Sequence, residues 1–267
     1  MNVAVEIDEK LPPEQQYFKG NFPRSMRYKR FTERHNLCLR APSNVSLARE
    51  EMETEDVRVD LLEKYVKIVK QFKFSAGEIY NVDETGLQIV VRSPKIVVKK
   101  GKKKVRVKKS GERSETITAV ACGNASGNVI TPPFMIFKGK SIASALVLGS
   151  FPDNTLFTFS KTGYMDGNLF LDSLREFSEN IPRKRPVLLI LDGHGAHITK
   201  RAIELATSEN IEMLCLPPHT SHIFQPLDVG VFKILKEVFR REVHAYQRKH
   251  HCKLLRRKHF GKLFTKA

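Results

Sequence analysis

The sequence predicts an α/β fold, a mixed sheet with helices on both of its faces. Three observations lead there. The continuous apolar run at 187–191 (VLLIL) has the character of a central strand buried on both faces. Strand-like runs come early in the chain, and helix, strand, helix, strand and helix follow. The helical segments are amphipathic, so each has a face to lay on a sheet.

The elements follow in order. Residues 1–23 carry three prolines and no clear period, and read as loop. Residues 24–40 (RSMRYKRFTERHNLCLR) read as the end of a helix with a short turn at Asn36, and 41–44 (APSN) as a turn or linker. Over 55–73, Val57, Leu61, Leu62, Tyr65, Val66, Ile68, Val69 and Phe72 fall at helical spacing. The run 79–82 (IYNV) is a short strand ending at Asp83, and 87–91 (LQIVV) is a second extended run. Residues 94–113 are lysine-rich with glycines at 101 and 111, and read as a long exposed hairpin or loop. Two strands follow at 116–122 (TITAVAC) and 129–137 (VITPPFMIF), joined by the turn GNASGN. Pro132 and Pro133 mark the second as an edge or bulged strand, because proline cannot donate to the ladder. A helix at 167–179, the strand at 187–191, a short helix at 198–208 and a strand at 211–216 come next. From Val229 to Arg248 a basic amphipathic helix places Val231, Phe232, Leu235, Val238, Phe239 and Val243 on one face.

Charge narrows the function. The 267 residues carry a net +17. The excess sits in two blocks: residues 92–113 and 233–267 each carry +10, whereas 1–91 and 114–232 carry −1 and −2. Two basic blocks flanking a near-neutral body suit a phosphate backbone if the fold brings them to one side. The bland alternative is a solvated loop and a solvated helix face. No run approaches 18 apolar residues, which excludes a membrane-spanning helix. The four cysteines, Cys38, Cys122, Cys215 and Cys252, are scattered without a CxxC pair and read as reduced thiols.

Three aspartates stand at the ends of these elements. Asp83 follows IYNV, Asp192 follows VLLIL, and Asp228 lies in QPLD just before the basic helix. Each has an ordinary reading: Asp228 as a helix N-cap, Asp192 and Asp83 as turn residues. Together, beyond the carboxyl ends of strands in a basic α/β protein, they point to a metal-dependent phosphoryl-transfer site. Three oxygen ligands without a thiolate suit Mg²⁺ or Mn²⁺ rather than zinc. Asp83 and Glu84 point to opposite strand faces, so only one joins the site. Asp83 shares its face with Asn81, and Glu84 is expected to make a local bond. His194, His197, His219 and His222 form two His-x-x-His pairs, a spacing that zinc sites also use. Neither pair falls on a regular helix, so the imidazoles are read instead as bracing the loops that carry the aspartates.

The runs IYNVDETGL, LILDGHGAH and LPPHTSHIFQPLDVGVF resemble the three motifs of the DDE superfamily endonuclease domain. The resemblance is to the pogo/Tigger/jerky branch of the mariner-type transposases, to which centromere protein B is related. It covers about residues 55–250. It implies an RNase H-like fold, catalytic and metal-binding roles for Asp83, Asp192 and Asp228, and two Mg²⁺ or Mn²⁺ ions. The implied chemistry is phosphodiester cleavage and strand transfer on DNA. RFTERHNLCLRAPSNVSLARE is similar to the tail of the family's helix-turn-helix region, and HFGKLFTKA to a family segment that normally continues. The chain therefore reads as a helix-turn-helix remnant (1–50), a linker helix (51–76), a DDE domain (77–250) and a truncated tail (251–267).

Phosphate contacts are expected from Lys99, Lys100, Lys102, Lys103, Lys104, Arg106, Lys108 and Lys109 in the basic segment, and from Lys233, Lys236, Arg240 and Arg241 on the helix. The partner is DNA, with no membrane, and a homodimer is compatible with this reading. The run KKGKKKVRVKK also reads as a nuclear import signal, giving a nuclear location. The alternative function is a co-opted or decayed DNA- or chromatin-binding protein that keeps the fold without the reaction.

Overall fold

A computed structural model of the chain describes residues 25–37, 54–89, 116–140, 151–250, 255 and 257–267. The chain divides into two compact units, Met1–Val45 and Ser46–Ala267. In the first, helix α1 (Ser25–Arg34) is followed by the expected turn, with Asn36 at φ 51°. Asparagine tolerates that left-handed conformation better than most residues. The segments read as loop at 1–23, as linker at 41–44 and as a basic hairpin at 94–113 lie outside the described residues.

The second unit opens with α2 (Glu55–Phe72) and β1 (Ile79–Gln88). β2 (Thr116–Asn124), β3 (Phe134–Lys138) and β4 (Leu156–Ser160) follow. The rest runs α3 (Gly167–Asn180), β5 (Val187–Leu191), α4 (Lys200–Ser208), β6 (Ile211–Cys215), a short α5 (Ser221–Phe224), a π-helical turn (Leu227–Phe232), α6 (Lys233–Lys249) and α7 (Arg257–Phe264). The six strands form one mixed sheet in the order β4-β3-β2-β1-β5-β6. β1 with β2 and β2 with β3 are antiparallel, and the other neighbours are parallel.

Strand alternation divides the core between two faces. On one, Tyr80, Val82, Val120, Leu189 and Leu191 pack with Phe170, Leu174 and Phe177 of α3 and Ala202 and Ala206 of α4. On the other, Leu87, Ile117, Met135 and Phe137 meet Phe239 and Val243 of α6 and Phe260 and Leu263 of α7. Farther along that second face, Ile79, Leu188 and Leu214 pack against Leu61 and Tyr65 of α2. Helices thus cover both faces, as the sequence predicts.

Two readings are corrected. β1 is not broken at Asp83: it runs unbroken to Gln88, because β2 pairs with it at nine successive positions from Tyr80↔Asn124 to Gln88↔Thr116. Asp83 is therefore inside the strand rather than after it. β3 is not an edge strand, since β2 and β4 flank it. The sheet accommodates Pro132 and Pro133 by leaving them outside the ladder, between a lone bridge at Ile130 and the start of β3.

β4 and α7 are elements that the sequence reading did not anticipate. α7 packs tightly: a Cβ built on Gly261 would lie 2.6 Å from ring carbons of the buried Phe151. Gly261→Ala should gain helix propensity and still lose stability by about 1–3 kcal/mol, because an aromatic ring cannot yield as a flexible chain end does. Urea denaturation checks this, and a more stable variant would contradict the packing.

Candidate active site

The inward face of β1 reads Ile79, Asn81, Asp83, Thr85, Leu87. All five are buried, and the middle three are polar. Burying three polar side chains in a row between apolar clusters is costly unless they are paired or used. Asp83 is 7% exposed. Its Oδ1 accepts the Glu84 backbone N–H at 2.8 Å, and its Oδ2 has no hydrogen-bond partner among the described residues. The Thr85 hydroxyl is likewise unpaired there. Burial, and then the charge of Asp228, push the Asp83 carboxyl up to about 7; the Glu84 N–H and the nearby Gln225 amide pull the other way.

The second aspartate follows the strand that neighbours β1. β1 and β5 pair in parallel as Ile79↔Leu188, Tyr80↔Leu189 and Asn81↔Ile190. That ladder ends two positions before Asp83 on β1 and two before Asp192, which follows the last residue of β5. The Asp192 carboxylate is held at Oδ1, by the His194 N–H at 3.1 Å and by His197 Nδ1 at 2.7 Å. Burial alone would raise this carboxyl, but the bond to His197 and that residue's charge hold it below the usual range.

His197 is 3% exposed and spans two carboxylates. Its Nε2 lies 3.0 Å from Glu84 Oε1, and its ring packs on Phe170 with centroids 4.4 Å apart. Burial disfavours the charged imidazole, yet the two carboxylates outweigh it and raise His197 to about 10. Glu84 therefore makes a bond to a residue 113 positions away, not the local bond expected of it. The reason is alternation: Glu84 points to the face that α3 and α4 cover, where His197 sits.

Asp228 lies in the first turn of the π-helical segment, whose N-cap is Pro226, so the N-cap reading of Asp228 is corrected. Such π turns within α-helices are frequent at functional sites. Burial raises its carboxyl, the Lys236 ammonium lowers it, and the charge of Asp192 raises it again. Asp228 is thus within electrostatic reach of Asp83 and of Asp192. Among the described residues no three His, Cys, Asp or Glu side chains stand at metal-binding spacing, for magnesium or for zinc. Mutual repulsion of carboxylates has the sign needed to hold them apart.

Of the other sequence-predicted residues, His194 meets Asp192 through its backbone and is exposed, as are His219, at φ 64°, and His222. Lys233, Arg240 and Arg241 are exposed on α6, whereas Lys236 is half-buried with its ammonium 6.0 Å from the Phe232 ring centroid. Lys99, Lys100, Lys102, Lys103, Lys104, Arg106, Lys108 and Lys109 lie outside the described residues. Sequence reasoning missed Glu84 as the partner of His197, and it missed Gln225, which is fully buried between Asn81 and Val82. The shared strand face of Asn81 and Asp83 was a signal for the first of these amides; nothing local marks the second.

Known proteins agree with this architecture. A family model described as DDE superfamily endonuclease matches residues 114–260, which include Asp192 and Asp228. A Cochliobolus lunatus protein described as MFS-type transporter clz9 is 30% identical over 185 residues, covering 68% of this chain and 20% of that protein. No helix among the described residues is long and apolar enough to cross a membrane. The pogo transposable elements with KRAB domain of Mus musculus and Homo sapiens are each 28% identical over 241 residues, covering 89% of this chain and 38% of theirs. The chain thus spans between a fifth and two fifths of the length of these relatives. Among solved structures, a pre-cleavage Mos1 transpososome superposes with a TM-score of 0.59 at 12% identity, over 98% of this chain and 73% of that one. A Mos1 paired-end complex with the left transposon end gives 0.55 at 12% identity, over 89% and 64%. These likenesses establish the RNase H-like fold. With more than half of its residues matching the family model, the chain belongs to the DDE superfamily endonucleases.

Proposed function

We propose that this chain is a divalent-metal-dependent DNA endonuclease and strand-transferase of transposase type, with Asp83, Asp192 and Asp228 as its catalytic carboxylates. The observation that supports the reading is the parallel β1–β5 ladder, whose last pair, Asn81↔Ile190, stands two positions before each of the first two aspartates. The donor set fits Mg²⁺ or Mn²⁺. It is all carboxylate, and the buried Oδ2 of Asp83 lacks any other partner among the described residues. Two ions held by these three side chains would supply charge stabilisation at the phosphoryl oxygens and activation of the attacking hydroxyl. Solved Mos1 structures of this fold include a complex with the left transposon end and a paired-end complex with Mn.

The chain's own residues do the rest. His197 and the His194 N–H hold Asp192 by Oδ1, which leaves Oδ2 as its ligating atom. Lys236 tempers the negative charge around Asp228. Lys233, Arg240 and Arg241, with the basic run from Lys99 to Lys109, would hold flanking phosphates with little regard for sequence. The same run supports nuclear import. A homodimer would bring two such sites together, and light scattering reads that state directly.

The test is nicking of supercoiled plasmid with Mn²⁺. Asp192→Asn should lose nicking by at least about 10³-fold while its DNA affinity stays similar or rises, because the charge removed repels phosphate. Equal nicking by variant and parent would rule out the assignment.

A further inference from the structure

Two buried amides join the three segments that carry the aspartates. Asn81 Nδ2 donates to the Ile190 carbonyl and to Gln225 Oε1, each at 2.9 Å, and its Oδ1 accepts the Leu227 N–H at 3.1 Å. Gln225 Nε2 donates to the Val82 carbonyl at 3.1 Å. Asn81 is 7% exposed and Gln225 0%. Each backbone partner stands one or two positions before an aspartate: Val82 before Asp83, Ile190 before Asp192, Leu227 before Asp228.

The placement has a topological cause. The β1–β5 ladder ends at Asn81↔Ile190. Beyond it β1 has no strand neighbour on that side among the described residues, and Gln225 takes the Val82 carbonyl that a strand would otherwise take. The outer side of the π turn is open: Val229 and Val231 are 55% and 49% exposed, and a Cβ on Gly230 would meet no atom within 4 Å. The turn is fastened at its start by the bond from Leu227 to Asn81 and at its end by the buried Phe232. Asp228 lies between those two points.

We propose that Asn81 and Gln225 are positioning residues that fix the spacing of the three carboxylates for divalent-cation binding. The inference rests on the nuclease reading above. A buried amide pair is worth keeping over an apolar pair only where its bond directions matter, since an apolar pair of similar shape can be equally stable. Here the bonds cross three chain segments, so the directions set one aspartate against the others.

The experiment measures Mn²⁺ binding by the electron paramagnetic resonance of free Mn²⁺, with amide hydrogen exchange alongside, on the full chain. Gln225→Met keeps the volume and removes the bonds; Gln225→Asn keeps the amide and falls one methylene short, a milder variant should Met impair folding. Both should bind Mn²⁺ about 10–100-fold more weakly, the range seen for groups that orient metal ligands. Amides of 227–232 should exchange faster while those of β2 and β3 keep their protection. Parent-like Mn²⁺ affinity in both variants overturns this inference alone. A parent chain that binds no Mn²⁺ overturns the nuclease reading, and this inference with it.

Discussion

Asp83→Asn is expected to abolish metal-dependent nicking and, in the same protein, to raise metal-free stability above pH 7. The two effects have one origin. Asp83 is buried with one carboxylate oxygen unpartnered among the described residues and the charge of Asp228 near it, and its carboxyl is raised to about 7. A raised acid in the folded state destabilises the fold once ionised. The folded chain binds that proton more tightly than the unfolded chain, whose carboxyl titrates near 3.8. Stability therefore falls as pH rises from about 4 to 7, and the full penalty applies above 7. The gap between 3.8 and about 7, at 1.36 kcal/mol per pH unit, makes it about 4 kcal/mol. Neutral, isosteric asparagine escapes the penalty. At pH 8 without metal the variant should melt on the order of 5–10 °C above the parent, and near pH 4 the two should converge. Mn²⁺ should raise the parent's melting temperature and leave the variant's almost unchanged. Nicking should fall at least about 10³-fold. Calorimetry from pH 4 to 8 decides the matter; a variant never more stable than the parent at pH 8 would show that Asp83 carries no stored charge.

What the sequence could reveal about this site follows from how local each signal is. VLLIL at 187–191 marks a buried central strand because continuous apolarity survives without context, and the structure places β5 there. Leu61 and Phe72 show their helix by spacing alone, and α2 spans them. The break expected after IYNV failed because Asp-Glu-Thr-Gly has turn composition, yet pairing with β2 costs less than leaving the six ladder positions from Asp83 to Gln88 unmade. β4 was missed because a five-residue edge strand with one buried position is too short to show a period. The Asn81–Gln225 bonds span 144 residues, and the Glu84–His197 bond spans 113; no local pattern encodes such pairs. Helix α7 was hidden by its basic residues: Lys258 and Lys262 stay exposed and Arg257 donates to the Lys138 carbonyl, while Phe260 and Leu263 enter the core.

His197→Ala should be among the most destabilising single changes in this domain. His197 is buried, carries a proton through neutral pH, and stands between Glu84 at 3.0 Å and Asp192 at 2.7 Å. Its removal leaves two largely buried carboxylates without their shared cation, a change that costs about 3–5 kcal/mol. The loss of contact with the Phe170 ring adds a pH-independent part. The pH dependence separates the two. A histidine raised from 6.5 to about 10 contributes stability that is complete below 6.5 and disappears as pH climbs through 10. The deficit of His197→Ala should therefore be largest near pH 5–6, where Asp192 is also ionised, and should shrink steadily towards pH 10. His197→Asn, whose side-chain N–H can replace Nδ1 towards Asp192 but cannot reach Glu84, should lose less. Glu84→Ala combined with His197→Ala should cost less than the sum of the single changes, by about 1–3 kcal/mol of coupling. Additive costs, or a deficit that grows between pH 6 and 10, would mean that His197 acts as a packing residue and that Asp192 takes its orientation from the His194 N–H alone.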